Sequence, residues 1–223
     1  MKKGITRIQT LLCCLSAFIL AGCTAHTTRY PNSDAVRKNN EAIELMKFHW
    51  PDSDSIRKAI RLFDEAIRID SSYGLAYTNK IQHLLYLGEK EKALEVSLQI
   101  EHLEKDNPEY YVHRGMLLEV NGRTEEAQQS YAKAIPLQEK RFRKEKELGA
   151  LMNYAFALYI KDGKERTLEE VAGDLAEEVL AEDKDHSVRD MFKALYRDGR
   201  DRKALLEQML GLKTEIIKKA NKN

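Results

Sequence analysis

The sequence has little cysteine and proline, and almost no net charge. Two of its three cysteines, Cys13 and Cys14, lie in an apolar run near the start, and after it only Cys23 remains. We therefore expect a fold held together by packing rather than by disulfide bonds. The 37 Lys and Arg residues are balanced by 36 Asp and Glu, so no overall field attracts nucleic acid and we expect no nucleic-acid partner. Four prolines and a charged fraction of 33% are typical of a helix-rich folded chain.

Catalytic and metal-binding motifs are also missing. The sequence contains no HExxH, no GxSxG and no glycine-rich phosphate loop. The histidines are scattered, without a pair spaced three or four residues apart on one helix face, as metal ligands often are. We therefore expect no enzyme activity, no metal and no cofactor.

The first 22 residues have the pattern of an export signal. Lys2, Lys3 and Arg7 precede the apolar residues 11–21, a run too short for the roughly 20 residues of a membrane-spanning helix. The tetrapeptide Leu20-Ala21-Gly22-Cys23 that follows resembles the lipobox of bacterial lipoproteins.

That resemblance implies cleavage after residue 22 and lipidation of Cys23, which would anchor the protein to a membrane. Residues 23–36 would then form the lipidated N-terminus and a polar tether. Thr24, rather than Asp, follows the cysteine. In Gram-negative lipoproteins this implies a location in the cell envelope, anchored to the outer membrane and facing the periplasm.

The remaining sequence repeats at an interval of 34 residues. Small residues recur at Ala59, Ala93 and Ala127, and turn glycines at Gly88 and Gly122. Further columns at the same spacing are Phe63, Ser97 and Tyr131; Ala66, Ile100 and Ala134; and Ile69, Leu103 and Leu137. A fixed period of this length indicates stacked supersecondary units.

Each period contains two helical patterns. In the third copy Asn107 and Pro108 suit the start of a helix, and Gly122 suits its end. A second amphipathic helix follows the turn. Gly115 and Ala127 have almost no side chain, so we expect the two helices to approach closely there, with Tyr131 filling the wider gap.

These positions resemble the tetratricopeptide repeat (TPR) family. The third copy matches its pattern in order, with Tyr111, Gly115, Leu118, Gly122, Ala127, Tyr131 and Ala134. The resemblance implies an all-α solenoid, a right-handed superhelix of about five helix pairs within residues 37–223. The pairs are expected at about residues 40–73, 74–107, 108–141, 142–183 and 185–219.

After Leu137 the period is interrupted, since the next matching residues arrive seven positions late. We interpret residues 137–163 as one long helix whose charged first half projects beyond the array. Thr167 and Glu170 predict a capping box at the start of the next helix. That helix should bury Val171, Leu175 and Val179. A last pair is expected at about 187–197 and 201–219.

The family resemblance also implies a site, because the first helices of stacked pairs line a concave groove. Family positions place ten residues of this sequence there: Thr78, Asn79, Gln82, Tyr86, Val112, His113, Met116, Glu119, Asn153 and Tyr154. Mixed amides, Met and Tyr suit an extended peptide or a helix. The basic segment 139–147 is the alternative contact surface.

Together these features predict a membrane-anchored adaptor lipoprotein that presents the groove to a protein or peptide partner in a cell-envelope complex. An accessory subunit of an envelope enzyme or of a glycan-handling system is the alternative, and a spacer without a ligand is the third possibility. The sequence does not distinguish the first two.

Overall fold

The computed structural model describes residues 30–181, 183–184, 186–197 and 201–212. The predicted signal peptide, Cys23 and residues 24–29 lie outside this range. Throughout the described residues the secondary structure is helical, without a strand, so the all-α class is confirmed. Within the same residues, no helix combines the length and the apolar character that crossing a membrane requires.

The helices follow one another through short turns. Their bounds are α1 Ser33–His49, α2 Ser53–Ile69, α3 Gly74–Tyr86, α4 Lys90–Gln99, α5 Pro108–Val120, α6 Thr124–Glu145, α7 Leu148–Asp162, α8 Leu168–Ala172, α9 Ala176–Leu180, α10 Ser187–Arg197 and α11 Arg202–Met209. From α1 to α8, each helix packs mainly against its neighbours in the chain. α11 is different, because its main contact is with α5, far away in the sequence.

The turns at the 34-residue interval have the same backbone geometry. Gly88 and Gly122 have φ of 75° and 79°, a left-handed conformation that glycine adopts without steric cost. In the turn after α3, Gly88 donates to Leu85 O; after α5, Gly122 donates to Glu119 O, both at 2.9 Å. Matching glycines therefore end matching helices, as the sequence predicts.

The close approach of α5 and α6 is confirmed. A Cβ atom placed on Gly115 would lie 2.5 Å from Cδ1 and 2.8 Å from Cζ of Tyr131, so the tyrosine ring lies directly against the glycine. Ala127 and Tyr131 are fully buried. A tyrosine ring can occupy this interface only because the facing residue has no side chain.

The single long helix expected at residues 137–163 is wrong. α6 continues to Glu145, Lys146 takes a left-handed conformation with φ 52°, and α7 begins at Leu148. The seven extra residues therefore lengthen the second helix of the third pair. The ring of Phe142 is buried and its carbonyl accepts the Lys146 N–H at 2.8 Å, and the left-handed conformation of Lys146 then ends the helix.

The capping box after this pair is confirmed. Thr167 accepts a hydrogen bond from the Glu170 N–H, and Glu170 accepts one from the Thr167 N–H. The helix that follows is interrupted, because a 3-10 turn at Gly173–Leu175 separates α8 from α9. Val179 is buried as expected, whereas Val171 and Leu175 are only half-buried.

The first helix begins earlier than expected. α1 starts at Ser33, inside the range 23–36 that we assigned to the tether. Asn32 caps it by accepting from the Asp34 N–H, and the Asn32 N–H donates to the Asp70 carboxylate at 2.9 Å. Ala35 is fully buried. These contacts hold the first turn of α1 against the rest of the fold, so the tether ends before residue 33.

Candidate functional site

The ten residues predicted to line the groove are all at least partly buried. Val112 and Met116 have exposed fractions of 2% and 1%. The other eight are half-buried, namely Thr78, Asn79, Gln82, Tyr86, His113, Glu119, Asn153 and Tyr154. Whether they bind a partner stays a prediction, but in this structure Val112 and Met116 belong to the hydrophobic core.

The α1 end of this surface is polar. Asn79 donates through Nδ2 to Oδ1 of Asn39, a buried residue of α1, at 2.7 Å. The hydroxyl of the preceding residue, Thr78, donates to the carbonyl of Gly74, one helical turn earlier, at 3.3 Å. The amide pair links the first helices of two successive helix pairs, so Asn79 already has a structural partner within the chain.

Aromatic rings lie at the C-terminal end of α3. The ring of Tyr86 meets that of Trp50 edge-on, with centroids 4.4 Å apart, and lies 5.6 Å from the imidazole of His83. The chain after α11 reaches the same place. A Cβ atom placed on Gly211 would lie 3.5 Å from Gln82 Nε2 and 3.7 Å from Tyr86 Cε1. Two predicted groove residues therefore contact the C-terminal segment of the chain.

The centre of the surface is covered by α11. Leu205, Leu206 and Met209 of this helix are buried, and they belong to the same hydrophobic cluster as Val112 and Met116. Apolar side chains three and four residues apart form one stripe along a helix, so α11 is amphipathic and its apolar face is turned inward.

An arginine joins α11 to the ends of two other helices. Arg202 donates through Nε and Nη2 to the two carboxylate oxygens of Glu119, the second at 2.9 Å. Its guanidinium also donates to the carbonyl of Ile160, at the end of α7. The Tyr131 hydroxyl donates to Glu119 Oε2 at 3.0 Å. Glu119 thus accepts three hydrogen bonds and holds the guanidinium in a forked, charge-assisted arrangement.

The environment of this pair shifts the pKa values of its members. The hydrogen bond from Arg202 to Glu119 is the main cause that raises the pKa of the guanidinium. Burial, with the neighbouring Glu119 carboxylate, raises the pKa of the Tyr131 phenol far above its usual value. Arg202 therefore stays charged and Tyr131 stays neutral, so the phenol remains a hydrogen-bond donor.

His113 occupies the α5 position that corresponds to Asn79 in α3. Burial lowers its pKa to about 4, and burial also lowers the pKa of His83. Both imidazoles are therefore neutral at neutral pH. At that pH, neither histidine provides a positive charge for a negatively charged ligand.

The α7 end of the surface contains a buried carboxylate. Glu109 has an exposed side-chain fraction of 3% and pairs with Arg141 at 2.7 Å. Its Oε1 also accepts from the side-chain amides of Gln138 and Asn153 at 3.3 and 3.4 Å. Asn153 therefore positions an internal acid, while Tyr154 stacks on Phe142 with centroids 6.3 Å apart.

The basic segment, the alternative contact surface, is largely paired with acidic side chains. Arg141 binds Glu109 and Glu145, and Lys146 binds Glu178 at 3.0 Å. Arg143 lies between Glu139 and Asp174. Apart from the pair with the buried Glu109, these pairs are exposed and individually weak, but together they offset much of the segment's positive charge. A strongly basic surface is therefore not formed here.

The site combines buried apolar side chains with polar groups that are paired within the chain. In the part of the chain that the structure describes, no group of three His, Cys, Asp or Glu side chains could hold a metal ion. The surface contains the buried apolar residues Val112 and Met116. The Glu109 carboxylate lies at its α7 end, and the rings of Tyr86 and Trp50 lie at the C-terminal end of α3. Comparison with models of known protein families gives no match, and no curated protein matches the chain.

Sequence reasoning missed Arg202 and the position of α11. The last expected pair, at about 187–197 and 201–219, includes this helix, but its pattern indicates only one more layer of the array. The helix ends at Met209 rather than continuing as expected, and residues 213–219 lie outside the described range. Leu205, Leu206 and Met209 signal an amphipathic helix. They do not indicate which surface the helix covers, since Arg202 and Glu119 are separated by 83 positions.

Proposed function

We propose that this protein is a lipid-anchored adaptor of the bacterial cell envelope, built as a solenoid of TPR-like helix pairs, whose concave surface binds an amphipathic helix of a protein partner. The proposal combines the lipobox-like tetrapeptide with the 34-residue period and the matching turns at Gly88 and Gly122. Outer-membrane anchoring on the periplasmic side is part of the proposal.

One observation carries the binding role. An amphipathic helix, α11, lies on the predicted surface, with its apolar side chains buried and its arginine bound to Glu119. The surface is therefore complementary to a helix in both shape and charge. Binding of a helix by its apolar face in a groove is a common mode of peptide recognition.

Photo-crosslinking in intact cells tests the binding role. A photoreactive amino acid replaces Gln82, beside the C-terminal segment, and in a control protein it replaces the exposed Gln129 on α6. We expect a discrete protein adduct from position 82 that disappears when an excess of a peptide of residues 201–212 is added to permeabilised cells. A saccharide retained on the purified protein, with no protein adduct, would support the glycan-handling alternative. If neither a protein adduct nor a retained saccharide is found, the spacer role is supported.

A pair of serine substitutions tests the anchor. Cys23→Ser removes the residue that the lipobox resemblance assigns to lipidation, whereas Cys14→Ser alters a cysteine within the signal itself. We expect Cys23→Ser to abolish labelling by radioactive fatty acid and to leave an uncleaved precursor, and Cys14→Ser to be labelled like the wild type. Equal labelling of both variants would contradict lipidation at Cys23.

A further inference from the structure

We propose that α11 is an internal competitor for the partner site, and that Glu119, the Tyr131 hydroxyl and the Ile160 carbonyl form an arginine-binding subsite for the incoming helix. This inference rests on the proposed function and specifies the partner. The partner is an amphipathic helix with an arginine in its first turn and large apolar residues three, four and seven positions later, the spacing of Arg202, Leu205, Leu206 and Met209.

The subsite is built by residues outside α11. Glu119 has an exposed side-chain fraction of 14% and is held by the Tyr131 hydroxyl at 3.0 Å. The Tyr131 ring is itself fixed, because it is fully buried against Gly115. The carboxylate is thus oriented before any guanidinium arrives. An oriented acceptor of this kind favours the flat, forked donor set of arginine over the single ammonium of lysine.

The carboxylate also needs a cation. Without Arg202, Glu119 would keep only the tyrosine hydroxyl as a hydrogen-bond partner among the contacts described here, with most of its side chain buried. A carboxylate that is mostly buried and loses its cation is strongly destabilising. The subsite is therefore complementary to an arginine, whichever chain supplies it.

α11 differs from the other helices in how it is attached. It extends over Arg202–Met209, and helices this short are barely stable in isolation. Its main contact is with α5, whereas α1 to α8 contact their neighbours in the chain. The Arg202 guanidinium is about a third exposed. A short helix held by its apolar stripe and by the Arg202 contacts to Glu119 and Ile160 can detach while the packing of α5, α6 and α7 persists.

Docking of α11 would lower the apparent affinity for a partner. The apparent dissociation constant equals the intrinsic one divided by the fraction of molecules in which the site is free. If α11 is docked in 99% of molecules, for example, the apparent affinity falls by about 100-fold. Weakening the arginine contact should therefore strengthen binding of a helix supplied in trans.

The test uses the full-length protein and a fluorescent peptide of residues 201–212 as the probe. We compare the wild type with Arg202→Ala, and with Lys203→Ala as the matched control, because Lys203 is an exposed cation on the same helix. We expect Arg202→Ala to bind the peptide at least tenfold more tightly than the wild type, and Lys203→Ala to behave like the wild type. Adding Glu119→Gln to Arg202→Ala should reverse the gain, and a peptide with alanine in place of arginine should bind weakly to every variant.

Hydrogen exchange of the same proteins measures whether α11 detaches alone. We expect faster exchange in α11 of Arg202→Ala and unchanged protection of α5 and α6. If exchange does not accelerate even in Arg202→Ala/Leu206→Ala, or if all helices lose protection together, α11 is part of the cooperative core and the inference is wrong. It is also wrong if α11 exchanges freely and the peptide still does not bind.

The outcomes are separable from those of the proposed function. The peptide has the chain's own sequence, so its binding needs no envelope partner. Peptide binding without any adduct at position 82 would support the arginine subsite and count against the adaptor role. A specific adduct at position 82 together with failed peptide binding would support the adaptor and remove the competitor.

Discussion

Replacing Gly115 by alanine tests the closest contact between two helices of the fold. The new methyl group would lie 2.5 Å from Cδ1 and 2.8 Å from Cζ of Tyr131, well inside ordinary contact distance. The ring is fully buried, and its hydroxyl is bonded to Glu119 at 3.0 Å. It therefore has no free space to move into, and any shift weakens the contact that orients the carboxylate for Arg202.

The expected size of the effect follows from three contributions. Overpacking a core costs about 1–3 kcal/mol. Alanine has a higher helix propensity than glycine, which offsets up to about 1 kcal/mol. Loss of the tyrosine hydrogen bond costs about 1 kcal/mol. We therefore expect a net loss of about 2 kcal/mol, or a fall of about 4–8 °C in melting temperature for a chain of this size.

Gly149 supplies the matched control. It lies in the first turn of α7, is exposed, and would bring an added Cβ within 4 Å of no other atom. Gly149→Ala should leave stability unchanged or increase it by up to about 1 kcal/mol. Thermal and urea unfolding, followed by far-ultraviolet circular dichroism, measure both variants. If Gly115→Ala were as stable as Gly149→Ala, the close packing of α5 on α6 would be refuted.

Two further predictions concern charge within the fold. Arg141→Ala should lower the free energy of unfolding by about 2–3 kcal/mol, because Glu109 is buried and would lose the one cation that pairs with it among the described residues. Removal of the exposed Arg143 should cost at most about 1 kcal/mol in the same urea titrations. Similar losses would contradict the burial of the first pair. The pKa of His113 is lowered to about 4 by burial, so the unfolded chain, with a histidine pKa of about 6.5, binds more protons between these values. Stability should therefore fall as the pH drops from about 6.5 towards 4, by about 1–3 kcal/mol from this residue. His113→Gln should reduce that pH dependence, and a pH dependence that the substitution leaves unchanged would contradict the lowered pKa of His113.

Several features of the fold could be predicted because they depend on residues close together in the chain. Asn107 accepts from the N–H groups of residues two and three positions later, and the turns at Gly88 and Gly122 close within five residues. The Gly115–Tyr131 contact joins two consecutive helices that are separated by one short turn. In each case the hydrogen bond or contact is local, so the residue types that make it are visible as a sequence pattern.

The end of α6 is an intermediate case. The seven-residue interruption of the period was detected, but it was assigned to the wrong helix. The residues around 142–148 are compatible with a continuous helix, and nothing local requires the left-handed conformation of Lys146. The break follows from packing, because Phe142 of α6 can stack on Tyr154 of α7 only if the chain turns back after α6.

The sequence by itself thus determined the all-α class and the caps and turns of the helices from α3 to α6, because those depend on short-range periodicity and hydrogen bonds. Only the tertiary structure decided that α11 lies across α5 and that Arg202 meets Glu119. That contact joins residues 83 positions apart. An amphipathic helix needs an apolar surface to cover, and its sequence does not specify which one. The surface exists only when the other helices have packed.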